Sequence, residues 1–217
     1  MDINTEINQV IENFPELNYD RNNNCLWGII KVSGFDFYQI KIDLKPYPEF
    51  FPLVYELDGR IPRRIERHVY SDSGSCCFTT KARSQILLKT KITSIYLFIK
   101  NIVIPYFQNN SYYEINMKYK TDEYSHNGEG VIEGYRDILQ IHNDLKIAEL
   151  LFNRYKGGKL KVRDLCYCGS NIKLKKCTNG IHDICYRDFK KIDKNILGTD
   201  LINYFYPHLK SLGLVNS

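Results

Sequence analysis

No apolar run of the roughly 20 residues needed to cross a bilayer occurs in this sequence. The longest, Ile95 to Phe107, is interrupted by Lys100, so no membrane span is expected. The opening MDINTEINQV lacks a basic stretch followed by an apolar one, so no secretory leader is expected and the chain is expected to stay in the cytoplasm. Glycine- or proline-rich tracts, low-complexity segments and internal repeats are also missing. With 43% hydrophobic and 25% charged residues, the composition excludes a disordered chain. The 217 residues suffice for one sizeable core, or for a domain of about 150 residues with a smaller appendage.

The cysteines are few but unevenly placed. Of seven, four fall between Cys166 and Cys185, and an odd, clustered set suits metal or thiol chemistry in a reducing compartment better than a disulfide framework. The net charge of +5 is local as well. Residues 154–190 hold ten Lys/Arg against three Asp/Glu, whereas the rest of the chain holds 20 against 22. That segment is either a surface for an anionic partner or the product of a lysine-rich coding bias.

Ile3, Ile7, Val10, Ile11 and Phe14 recur at helical spacing and Pro15 follows, which predicts an amphipathic helix. Cys25–Val32, Phe35–Leu44 and Leu53–Leu57 are rich in β-branched and aromatic residues and predict an antiparallel meander. Pro46, Pro48 and Pro52 stiffen the crossing before its last strand. Asp58 to about Thr80 has no periodicity and predicts a long loop holding His68, Cys76 and Cys77. Residues 92–106 predict a buried helix with Pro105 near its end. EYSHNGEG (Glu123–Gly130) predicts a turn, followed by two helices with Asn143 as a cap between them, and a last helix over Asp200–Leu212 interrupted near Pro207. The expected division is a domain over 1–157, a cysteine module over 158–190 and a helical tail over 191–217.

Within CYCGSNIKLKKC, Cys166, Cys168 and Cys177 form C-x-C-x8-C, a spacing of thiolates that suits tetrahedral zinc, with Gly169 and Ser170 able to turn backbone amides toward the sulfurs. The words CxCGS and KxKKC, over residues 164 to about 185, resemble the SEC-C motif, a small zinc module found at the ends of bacterial proteins. That family closes its ligand set directly after the third cysteine. Here that position is Thr178, so the fourth ligand is expected from His182 or Cys185, with His182 preferred. The resemblance implies a structural zinc and a docking role toward a protein partner, or toward RNA.

The order helix, meander, proline-stiffened crossing, cysteine-bearing loop and helices resembles the ubiquitin-conjugating fold, an α+β fold. YPEFFP (Tyr47–Pro52) is similar to that family's YPxxPP segment. HVYSDSGSCCF (His68–Phe78) is similar to the segment running from its HPN triplet to its thioester cysteine. The resemblance implies Cys77 as the thioester cysteine, with Cys76 at a hydrophobic position, and His68 holding the loop. Val69 and Tyr70 stand where the family has proline and its oxyanion-stabilising asparagine. That role is open here, with Tyr70 and His126 as the candidates. Bacterial members of the family often lack this asparagine. The resemblance further implies a thioester transferase that moves a ubiquitin-like modifier to an amine of a protein substrate, in a bacterial conjugation or antiviral defence system. A ThiF-like activating enzyme and a JAB-type protease would act beside it. The alternatives are a non-catalytic adaptor built on the same fold and zinc module, or an RNA-associated protein led by the basic segment.

Overall fold

The computed structural model describes residues 2–120 and 124–215. The chain divides into two compact units, one of Met1–Thr79 with Leu87–Glu123 and the other of Thr80–Ile86 with Tyr124–Ser217. The expected boundary at 157 therefore falls inside the second unit, and the cysteine module and C-terminal tail belong to that unit together with the helices before them. Module 158–190 on its own is too small to bury a core. Glu123, first residue of the expected turn segment, lies outside the described residues. No helix among the described residues is long and apolar enough to cross a membrane.

The first unit opens with α1 (Ile3–Asn13), followed by β1 (Leu17–Asp20), β2 (Cys25–Ser33), β3 (Asp36–Asp43) and β4 (Leu53–Glu56), a four-stranded antiparallel sheet in chain order. From Leu26 onward, alternation of buried and exposed residues along β2 places Leu26, Ile30 and Val32 on the core face. Strand β1 (LNYD) is too short and polar to show a period of two, and pairing with β2 makes it a strand. Gly28 permits that pairing. Its φ is +140°, and a Cβ there would collide with the Glu16 carbonyl.

Helix α2 (Lys81–Leu88) follows the loop, and α3 runs over residues 95–116. Pro105 lies inside α3 and does not end it, contrary to the expectation from sequence. A π-helical turn, Ile99–Val103, widens the helix just before the proline, which relieves the clash with the preceding turn and absorbs the missing N–H. Ile95, Phe98, Ile99, Val103 and Phe107 of α3 pack with Val10 of α1 and Leu26, Ile40, Ile42 and Val54 of the sheet as one core.

The second unit contains α4 (Asn127–Leu139), α5 (Asp144–Tyr155), α6 (Ile181–Phe189) and α7 (residues 194–211). Asn143 caps α5 as expected, its side chain accepting from the Lys146 amide. Helix α7 begins six residues earlier than expected because Asp193 caps it, its side chain accepting from the Asn195 amide. Pro207 is again preceded by a π-helical turn, Leu201–Phe205. Asp144, at the start of α5, accepts a bidentate pair from Arg136 of α4 at 2.8 and 2.7 Å and lies 2.8 Å from His208 of α7. Burial works against the Asp144 charge, but the bonds to Arg136 and His208 outweigh it and hold its carboxyl below the usual value.

A second acid is treated differently. Asp200 is buried against the Tyr135 hydroxyl, which donates to it at 2.9 Å, and burial raises its carboxyl from 3.8 to about 6. Because the folded chain binds this proton more tightly than the unfolded chain, stability falls as pH rises from about 4 to about 6 and stays lower above. Asp200→Asn is expected to stabilise the protein by on the order of 2 kcal/mol at pH 8 and to have little effect at pH 4, measured by chemical denaturation at both values. Gly28→Ala is expected to lower stability by about 2 kcal/mol or more in the same measurement, because it forces a side chain into strained backbone and against a carbonyl.

Candidate functional site

In the second unit, residues 162–175 fold into a small hairpin. Its bonds run from Lys175 N to Val162 O, Leu174 N to Asp164 O and Cys166 N to Ile172 O, at 3.2, 2.9 and 2.8 Å. The tip is the turn after Cys166, closed by Gly169 N to Cys166 O at 3.1 Å, which sets Cys166 at its start and Cys168 within it. The chain then passes Cys177 and reverses through left-handed Thr178 and Asn179 (φ 47° and 56°) into α6, whose first turn carries His182. This left-handed step is why a ligand absent at 178 reappears at 182.

Cys166, Cys168, Cys177 and His182 are thereby brought together, their ligand atoms all within 4.8 Å of one another. The group could hold a metal ion. Cys185, the alternative considered from sequence, is not part of it. Cys168 Sγ lies 3.5 Å from Cys177 Sγ, Ser170 Oγ lies 3.3 Å from Cys177 Sγ, and Cys166 Sγ lies 3.2 Å from His182 Nδ1. Burial opposes ionisation of Cys168. The Ser170 hydroxyl and amide overcome it and bring this thiol down to about 6, while burial pushes Cys166 up.

The fit of the imidazole is set by its far side. His182 Nε2 lies 3.3 Å from the Gln140 carbonyl, and its donation there leaves Nδ1 with a lone pair facing the sulfurs. The Tyr167 hydroxyl donates to Leu139 O at 2.8 Å and to His182 O at 3.3 Å, and its ring packs 5.1 Å from that of His182. Leu139 is the last residue of α4 and Gln140 its left-handed C-cap, so two carbonyls at the helix's negative end are satisfied by groups that also build the Cys/His cluster. Neither Gln140 nor Tyr167 was singled out from sequence. A tyrosine between two ligand cysteines was the one available signal.

In the first unit, the loop with His68 and Cys77 forms a tight hairpin. Val69 bridges to Cys76, Tyr70 N donates to Ser75 O at 3.0 Å, and Gly74 N donates to Tyr70 O at 2.7 Å. Gly74 closes it with φ +73°. The hairpin lies against β4 through Cys76 N to Val54 O, 2.8 Å.

Extended backbone sends successive side chains to opposite faces. Cys76 is 6% exposed, and burial pushes its thiol up to about 12. Cys77 is half-buried, with Sγ 3.3 Å from the Tyr70 hydroxyl. His68, itself left-handed (φ 51°), accepts through its carbonyl from the Cys77 amide at 2.7 Å and from the Tyr106 hydroxyl at 2.9 Å. Its ring packs edge-on against Tyr119. Asp72 accepts from the Ser73 amide and is exposed. Tyr106, read from sequence only as a helix-face residue, is a further part of this loop's frame.

His68, Tyr70 and Cys77 are thus brought together in one hairpin, whereas His126 belongs to the second unit, where it precedes α4 without capping it by its side chain. No family model, curated protein or solved structure matches this chain.

Metal loading is expected to raise the melting temperature of the second unit and a strong chelator to lower it. Cys185→Ser is expected to keep one equivalent of metal. His182→Ala is expected to lose about tenfold or more in affinity, read by competition with a chromogenic chelator.

Proposed function

We propose that the chain is a ubiquitin-conjugating-like thioester carrier with a structural zinc, and that Cys77 is its acceptor. One observation carries this reading: of the two adjacent cysteines, the hairpin buries Cys76 and leaves Cys77 partly exposed beside the Tyr70 hydroxyl. The supporting order of elements is a helix, a four-stranded antiparallel meander, a cysteine-bearing hairpin and helices.

In the first step the Cys77 thiolate attacks the carbonyl of a modifier held as a thioester on its activating enzyme. A tetrahedral intermediate collapses with departure of the enzyme's thiolate. In the second step an amine of the target attacks the Cys77 thioester, loses a proton and displaces the Cys77 thiolate. Tyr70, where the family has an asparagine on the same loop, is within reach to donate a hydrogen bond to the oxyanion of either intermediate. His68 acts through its main chain, holding the Cys77 amide.

The donor set of the second unit, three thiolates and one imidazole with the histidine's other nitrogen bonded, suits closed tetrahedral zinc. Cys166, Cys168, Cys177 and His182 would hold the ion, and its role there is structural. The apolar side chains Leu165, Ile172, Ile181 and Ile184 are exposed on this module, which suits docking of a protein partner.

The test is non-reducing electrophoresis and intact mass of the chain recovered from its host, with ATP and a candidate activating enzyme supplied. A thiol-labile adduct of small-protein mass is expected on the wild type and on Cys76→Ala, and none on Cys77→Ala. Tyr70→Phe is expected to form the adduct and discharge it to amines about tenfold or more slowly. An adduct that persists in Cys77→Ala would overturn the reading. Absence of any adduct would favour a non-catalytic adaptor.

A further inference from the structure

Resting on the zinc reading, we propose that Cys168 is the peroxide-reactive residue of the cluster, and that its oxidation joins it to Cys177 and releases the metal. Three of the four ligands are closed to solvent, with Cys166 5%, Cys177 2% and His182 4% exposed. Cys168 is partly exposed and stands on the turn at the hairpin tip, so a small oxidant meets its sulfur first. The geometry also selects the second sulfur. Cys177 Sγ is 3.5 Å from Cys168 Sγ, whereas Cys166 Sγ, a neighbour of both sulfurs, is also paired with the imidazole at 3.2 Å. Ser170, which follows Cys168 in the turn, has its hydroxyl 3.3 Å from Cys177 Sγ and so ties the tip to the sulfur that must approach.

The chemistry is a two-electron oxidation by hydrogen peroxide. The Cys168 thiolate attacks one peroxide oxygen, the O–O bond breaks, and hydroxide leaves and takes a proton, so Cys168 becomes a sulfenic acid. The Cys177 thiolate then attacks that sulfur. The S–S bond forms, the S–O bond breaks, and the departing hydroxide becomes a second water. Two sulfurs have given one electron each to one peroxide, and two protons have been consumed. A disulfide sulfur is a poor ligand, so two of four ligands are withdrawn and only Cys166 and His182 remain. Because His182 and Tyr167 also satisfy the end of α4, release loosens the second unit at Leu139 and Gln140. A reducing thiol reverses the disulfide.

The test uses the full chain loaded with zinc, and bound metal is measured first. A chain that binds no metal fails the zinc reading and the proposal with it. With metal bound, one equivalent of hydrogen peroxide is expected to release one zinc to a chromogenic chelator. The mass should fall by about 2 Da, and peptide mapping should find Cys168 joined to Cys177. Cys185→Ser is expected to behave as the wild type. Cys168→His retains four ligands, and its zinc is expected to leave about tenfold or more slowly under peroxide. On the zinc-loaded chain, retention of metal after peroxide, or a wild-type disulfide through Cys166 or Cys185, would overturn the proposal while leaving the zinc reading in place.

Discussion

Three thiols and an imidazole within 4.8 Å of one another are a constraint that the second unit is built to meet. As thiolates, the sulfurs repel. As thiols, they fill a buried space with weak hydrogen-bonding groups, and a cation held among them would make the grouping favourable. The residues around them serve that arrangement. The left-handed step through Thr178 and Asn179 returns the chain so that His182 closes the group, and Gln140 O turns its imidazole the right way round. That carbonyl belongs to the residue that caps the negative end of α4, so the helix end and the three cysteine sulfurs face opposite sides of one ring. Helix α4 in turn carries Arg136, which grips Asp144 at the head of α5, and Asp144 also faces His208 of α7. The helices and the cysteine hairpin are consequently tied together by direct bonds, which run from the cluster's histidine to the end of α4.

The first unit meets a different demand, in that it sets two adjacent thiols apart, one buried and one partly exposed. It does so with main-chain bonds. His68 O, in a left-handed residue, receives both the Cys77 amide and the Tyr106 hydroxyl, and Cys76 N is bound to Val54 O of β4. These contacts hold the hairpin in extended conformation, and the alternation of side chains then decides which cysteine faces out. The difference in burial between Cys76 and Cys77 is thus a consequence of strand geometry.

Where a signal was local and periodic, the sequence carried it openly. The alternation in β2, the helical spacing in α1, the Asn143 cap and the C-x-C-x8-C spacing all correspond to what the chain forms. What stayed hidden depended on partners distant in sequence. LNYD becomes β1 only because Gly28 allows β2 to approach it. KARSQILL lacks a clear apolar face, and α2 was not foreseen. Pro105 is expected near the end of a helix, but proline forbids only the local hydrogen bond, and a single π-helical turn disposes of that bond while the helix runs on to Asn116. The expected boundary after Gly157 rested on a glycine pair and the onset of cysteines. Neither reveals that His182 and Tyr167 bond back to α4, across more than 25 residues of chain.

The seven cysteines fall into chemical classes that composition alone cannot separate. Cys25 and Cys76 are buried, and burial holds their thiols above the usual value, so they act as small apolar residues. Cys77 is accessible beside a hydroxyl. Cys166, Cys168 and Cys177 share one cluster, and Cys185 lies outside it. The adjacent pair at 76 and 77 would be a rival metal or disulfide site if both sulfurs faced one way. Extended backbone turns them to opposite faces, and the bonds to Val54 and His68 keep it extended. The same hairpin geometry that leaves Cys77 partly exposed therefore also keeps the pair from closing on itself, and the cysteines that could hold a metal ion together are those of the second unit.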